Sequence, residues 1–266
     1  APLGNWQDAL HKAAAGAGRT LTVAFDEADT TAIQARRWHE LFPEILWRSR
    51  NFTLTPLRAV KDRGEQAALR EAGQRLARAW ADVRPQLAVG RREQDIATLL
   101  GEAIFRHTGA APTFETVVAG GPHAARPHHA PTDRKLRRGE PLLIDVGASW
   151  QGYTVDLLRM VALSPLPAPV RNAWRAVARA QQAALRLCRA GQPIANLDRA
   201  VRATLRRVGL EKNFTHNLGH GVGLKIHEEP VINGKNFALL AAGMAITIEP
   251  GVYFPGTFGI RIEDTV

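Results

Sequence analysis

The sequence predicts an α+β fold in which a helix-helix-strand-strand unit occurs twice, preceded by a smaller α/β segment, and three observations carry this. Apolar residues recur at helical spacing in two pairs of segments. The first pair holds Leu69, Leu76 and Trp80, then Ile96, Leu100 and Ile104; the second holds Val170, Trp174, Val177 and Leu185, then Leu197, Val201 and Leu205. Each pair leads into two β-type runs, Leu142–Gly147 with Val155–Arg159, and Met244–Gly251 with Ile260–Asp264. Glycines punctuate both halves at equal intervals. Gly90 precedes Ile96 and Gly191 precedes Leu197 by six residues, and Gly139 and Gly243 stand six before Asp145 and Glu249. Equal intervals in both halves are the mark of an internal duplication.

Taken in order, residues 1–57 read as a helix from Trp6 to Ala15, a strand Leu21–Phe25, a helical stretch over Ala32–His39 and a strand Ile45–Trp47. That is a partial N-terminal α/β domain, too small to bury a secure core of its own. Residues 58–266 form the second, duplicated domain. In its first strand pair a turn at Gly152-Tyr153 joins two antiparallel strands, each presenting a carboxylate.

Asp145, Asp156, Glu249 and Glu263, with His220, stand at the ends of apolar runs. A lone acid is usually exposed or salt-bridged, but an ordered set where two halves meet suits a metal centre. Two divalent cations about 3.5–4 Å apart need bridging carboxylates to offset their repulsion, and they acidify a water that becomes the nucleophile. The hard, oxygen-rich set favours Mn²⁺, with Co²⁺, Zn²⁺ or Fe²⁺ as alternatives.

Four stretches now resemble one superfamily: Leu143-Ile144-Asp145-Val146-Gly147 with Gly152-Tyr153-Thr154-Val155-Asp156-Leu157-Leu158-Arg159; His216-Asn217-Leu218-Gly219-His220-Gly221 running to His227-Glu228-Glu229-Pro230; Ile248-Glu249-Pro250-Gly251-Val252-Tyr253; and Gly259-Ile260-Arg261-Ile262-Glu263-Asp264. They resemble the pita-bread metallopeptidases, which comprise aminopeptidase P, prolidase (Xaa-Pro dipeptidase) and methionine aminopeptidase. The resemblance implies a catalytic domain with a curved antiparallel sheet inside and helices outside, related by a pseudo-two-fold. It implies that Asp145 binds one metal, that Asp156 and Glu263 bridge, and that His220 and Glu249 bind the second metal, Glu249 also shuttling a proton. His128, in Arg126-Pro127-His128-His129, matches the position facing the scissile bond, and His227 the one contacting the substrate carbonyl and tetrahedral intermediate. His216 matches a pocket histidine of the proline-directed branch; with His227 and Arg261 it makes up the expected substrate-binding set, Arg261 also steadying the carboxylates. His11, His39, His107, His123 and His129 have no such context and are read as ordinary.

The last motif discriminates within the superfamily. Methionine aminopeptidases carry Gln-x-Glu-His there, whereas this chain has Arg261-Ile262-Glu263-Asp264, the proline-directed form. The implied reaction is metal-dependent hydrolysis of the Xaa-Pro bond at the N-terminus of peptides by a hydroxide bridging two metals, on the pattern of aminopeptidase P. Strict Xaa-Pro dipeptidase (prolidase) is the alternative, but many prolidases place a carboxylate-clamping arginine where this chain has Val231. A homodimer is expected. Leu57–Glu65 resembles the family's entry into its first catalytic helix, and the preceding residues resemble the end of the N-terminal domain of aminopeptidase P and prolidase. Both ends of the chain are expected to be incomplete.

Composition agrees with an enzyme. A chain of 266 residues, 45% hydrophobic, can bury a sizeable core. Cys188 is the only cysteine, so there is no disulfide framework and a reducing compartment is favoured. No apolar run approaches the ~18–20 residues of a membrane span, and no signal peptide is evident, so a cytoplasmic location is expected. The net charge of +10 and the basic run Arg134-Lys135-Leu136-Arg137-Arg138 raise a rival, a non-catalytic pita-bread module binding nucleic acid or protein. No aromatic residues interleave with these basics, so no specific nucleic-acid partner is expected.

Overall fold

Thr31 is followed three residues later by Gln34, and their reciprocal side-chain-to-backbone bonds form the capping box that opens helix α2 (Ala32–Leu41). The structure is a computed structural model, described over residues 6–16, 20–27, 29–51 and 54–266. Its contacts divide into two units, Ala1–Leu57 and Arg58–Val266. In the first unit, α1 (Trp6–Gly16) precedes β1 (Thr22–Asp26), and α2 crosses to β2 (Leu46–Arg50), which pairs with β1 in parallel. Their shared core is Phe42, Ile45 and Trp47, packed with Leu10, Leu21, Val23, Phe25 and Trp38.

Helix α3 (Thr55–Ala59) runs across the boundary, and α4 (Arg63–Val83) is the first helix wholly within the second unit. Asp62 and Glu65 cap α4 with a second box. Helix α5 (Glu93–Thr108) lies against α4, and both cover β3 (Val117–Gly120), β4 (Pro141–Trp150) and β5 (Tyr153–Ala162), an antiparallel sheet in the order β3-β4-β5. Leu69, Leu76, Ile96, Leu100 and Ile104 are all buried in this core, with Trp80 packed at its edge. The second half repeats the plan. Helices α6 (Ala168–Leu185) and α7 (Ile194–Arg206) precede β6 (Gly219–Gly221), β7 (Glu228–Ile232), β8 (Thr247–Ile248), β9 (Gly251–Phe254), β10 (Phe258–Arg261) and β11 (Asp264–Thr265). Val170, Val177, Leu197, Val201 and Leu205 are buried with Ile248, Val252 and Ile260. Among the described residues no helix is long and apolar enough to cross a membrane.

The duplication extends to single hydrogen bonds. Gly90 and Gly191 both adopt left-handed φ, +91° and +81°, which glycine adopts without steric cost. Their amides donate to the carbonyls of Leu136 and Leu240. Gly139 and Gly243 match likewise at +80° and +92°.

The strand pairs differ from the sequence expectation. Asp145 and Asp156 sit in mid-strand, because β4 and β5 pair without interruption from Pro141↔Ala162 to Trp150↔Tyr153 around a Gln151-Gly152 turn with both φ positive. The second pair is not one ladder. Pro250 has no N–H to donate, and the hairpin splits into β8 with β11 and β9 with β10.

Candidate metal centre and cleft

Register brings the acids together. Asp156 lies opposite Gly147, two residues along β4 from Asp145, so both carboxylates leave the same face of the sheet. Asp264 pairs with Ile248, which sets Glu263 beside Glu249. His220 enters between two glycines. A Cβ on Gly219 would lie 2.0 Å from the Thr247 carbonyl oxygen, and one on Gly221 2.3 Å from that of Glu229, so only glycine lets β6 slot between its neighbours. The Thr247 hydroxyl accepts from the His220 amide at 3.1 Å and donates to Glu249 Oε1 at 3.2 Å, tying the two together.

Ligand atoms of Asp145, Asp156 and Glu263 lie within 4.8 Å of one another. Burial and mutual repulsion make Asp156 and Glu263 weaker acids than usual. Asp156 is pushed well above the carboxylate range by burial and then by Asp145 and Glu249; Glu263 by burial and then by Asp156 and Glu249. Burial lifts Glu249 to about 7 and drops His220 to about 4. Neutral His220 donates Nδ1–H to the Gly221 carbonyl at 2.9 Å, which leaves the Nε2 lone pair facing Glu249 Oε1 at 3.4 Å and Asp156 Oδ2 at 3.8 Å. Asp145 Oδ1, Asp156 Oδ1 and Glu263 Oε1 are buried without a hydrogen-bond partner. Lone pairs aimed at one another in a buried space are unfavourable unless a cation lies among them. The donor set therefore fits divalent metal held by carboxylate oxygens and one imidazole. Metal uptake should release protons and strengthen as pH rises through and above neutrality, because Asp156, Glu249 and Glu263, all raised, must give up their protons while His220 is already neutral. Calorimetric titration in buffers of different ionisation enthalpy counts those protons; an affinity flat between about pH 6 and 8 would contradict the reading.

These five residues line a cleft of about 620 Å³ that His128, His216, His227, Val231 and Arg261 also line. Every site residue expected from the sequence is in it. Arg261 is buried, pairs with Asp145, and donates at 3.2 Å to both the Tyr253 hydroxyl and the Pro127 carbonyl. Tyr253 in turn donates to His216 Nε2 at 2.8 Å, while His216 Nδ1–H goes to the Asn217 carbonyl at 2.7 Å. Burial lowers His216 to about 4. With both nitrogens engaged, His216 has no free ring nitrogen to offer the cleft it lines. His227 packs edge-on against His220 with ring centroids 4.4 Å apart, and burial followed by the charge of His128 lowers its pKa.

Two arrangements escaped the sequence reading. Glu93, His123 and His129 form a second group able to hold a metal by distance. Here, however, both carboxylate oxygens already accept hydrogen bonds. In the basic run, Leu136 is buried and Arg134 turns inward to Glu140 at 2.6 Å, so the run is not one continuous exposed patch.

Comparison with known proteins agrees with this geometry. Residues 67–266 match the family model for metallopeptidase family M24. The chain is 41% identical over 214 residues to a probable dipeptidase PepE of Mycobacterium tuberculosis, covering 80% of this chain and 57% of that protein. It is 35% identical over 211 residues to an Xaa-Pro dipeptidase of Pyrococcus furiosus, covering 79% and 60%. The chain thus spans about three fifths of the length of the curated relatives it matches. The crystal structure of an X-Pro aminopeptidase from Thermotoga maritima superposes with a TM-score of 0.90 at 32% identity, covering 100% of this chain and 75% of that one. The pita-bread fold is therefore the fold of this chain, and with its carboxylate-histidine centre and a match across most of its length, the chain belongs to metallopeptidase family M24.

Proposed function

We propose that this domain cleaves the Xaa-Pro bond at the N-terminus of peptides, in the manner of an aminopeptidase P, with two divalent ions held by Asp145, Asp156, His220, Glu249 and Glu263 and Mn²⁺ the favoured metal. The observation that carries it is the buried, unpartnered carboxylate oxygens on the floor of a cleft whose walls hold His128 and His227. Bound divalent ions supply Lewis acidity that polarises the scissile carbonyl and acidifies the attacking water. Glu249, on the floor of the cleft beside His220, is placed to take a proton from that water and pass it to the proline nitrogen as it leaves. His128 and His227 donate hydrogen bonds to the carbonyl oxygen as charge develops on it. Arg261 fixes the orientation of Asp145, and His216 closes the wall of the proline pocket.

Substrate length follows from what the cleft lacks. Among the described residues lining it, Arg261 is the one Lys or Arg, and it is committed to Asp145. Val231 lines the cleft, and it occupies the sequence position where the family resemblance would put an arginine clamp for a dipeptide's carboxylate. A charged hydrogen bond to that carboxylate would be worth ~1.5–3 kcal/mol; without it, Xaa-Pro-Yaa tripeptides should be cleaved at least as well as Xaa-Pro dipeptides. The second reading, a strict dipeptidase, is favoured by the names of the relatives just described. Assaying Ala-Pro, Ala-Pro-Ala and Met-Ala side by side with Mn²⁺ tests both. Cleavage of the two proline substrates and not of Met-Ala is expected. A dipeptide advantage above about tenfold in kcat/KM, or ~1.4 kcal/mol, would select the dipeptidase reading, and cleavage of Met-Ala alone would sink both.

A further inference from the structure

Glu93 opens α5 and is wholly buried, yet its carboxylate is crowded with donors. Oε1 accepts the amide of Gly120 at 2.9 Å, and His123 Nδ1 lies 3.0 Å from both oxygens. Oε2 accepts from His129 Nε2 at 2.9 Å, from the Thr132 hydroxyl at 2.9 Å and from the Thr132 amide at 3.2 Å. All of these donors come from one segment, Gly120 to Thr132, at its start, middle and end. That segment contains a short 3-10 turn over Gly121–Ala125, and His128 hangs from it into the cleft. From the other side, Arg261 donates to the carbonyl of Pro127, the residue before His128.

We infer that Glu93 is a positioning residue for His128: its buried carboxylate cross-links the Gly120–Thr132 segment and fixes where His128 meets the substrate. This rests on the role proposed above for His128. The contrast with Asp145, Asp156 and Glu263 argues against metal at Glu93. Those acids leave buried oxygens without partners, whereas both oxygens of Glu93 are satisfied by protein donors.

Glu93→Gln keeps the shape but replaces one acceptor with an amide donor that faces His129 or His123, so the cross-link should loosen rather than vanish. A misplacement of about 1 Å at a reacting group can cost on the order of 10²-fold. Glu93→Gln is therefore expected to lose about that much kcat, with KM and the number of bound metal ions unchanged, and amide exchange should rise in residues 120–132. Combined with His128→Ala, it should cause no further loss, since the group it positions is gone. His123→Ala, which removes one donor, should fall short in the same direction and guards against Glu93→Gln failing to fold. Additive losses in the double variant, or one fewer metal ion bound, would overturn the inference. If His128→Ala is fully active, the role of His128 fails and the inference with it; if His128→Ala is impaired while Glu93→Gln is not, only the positioning role fails.

Discussion

Glu263→Ala and Asp156→Ala are each expected to abolish hydrolysis and to lose most of the bound metal. Glu263 is wholly buried beside Asp156 and Asp145, so on the proposed two-cation site its removal would take away a carboxylate that offsets cation repulsion. Asp264, by contrast, accepts from Gln181 at 3.0 Å and pairs with Arg159, pointing away from the centre, so Asp264→Ala should cost far less. Metal analysis by mass spectrometry alongside activity decides this: full metal content in Glu263→Ala would contradict the bridging role.

His128→Ala and His227→Ala should separate chemistry from binding. Neither side chain ties the carboxylates together, so both variants should keep wild-type metal content. Each should lose about 10²–10³-fold in kcat/KM, the range for removing one donor to a developing oxyanion. Loss of metal in either, or unchanged activity in both, would contradict the assignment.

What could be read in the sequence follows from how local each signal is. That the five proposed ligands share one cleft was legible because each stands at a fixed interval from a glycine or an apolar run, and the helix faces because their apolar residues keep a 3.6-residue period. Gly147 misled, suggesting the end of a strand. Its backbone instead passes close to a neighbour, since a Cβ there would lie 2.2 Å from Thr113 Oγ1, and β4 continues beyond it. Glu93 left no local trace. An acid in the first turn of a helix is favourable on its own account, and its partners begin 27 residues downstream. The inward turn of Arg134 was hidden for the opposite reason: charge runs are usually solvated, and only the fold shows that Glu140 faces it. His216 was placed in the right cavity, but that Tyr253 and Asn217 occupy both its nitrogens is a fact of three dimensions.

On the proposed reading, the buried, unpartnered oxygens of Asp145, Asp156 and Glu263, with His220 and Glu249, constitute a two-cation site. Its most direct test is the number of divalent ions retained per chain by the unaltered protein, loaded with Mn²⁺ at neutral pH, freed of loose metal and analysed by mass spectrometry. Two ions per chain are expected, both released together with activity by a chelator; a protein that saturates at one ion, or hydrolyses Xaa-Pro peptides with none, would contradict it.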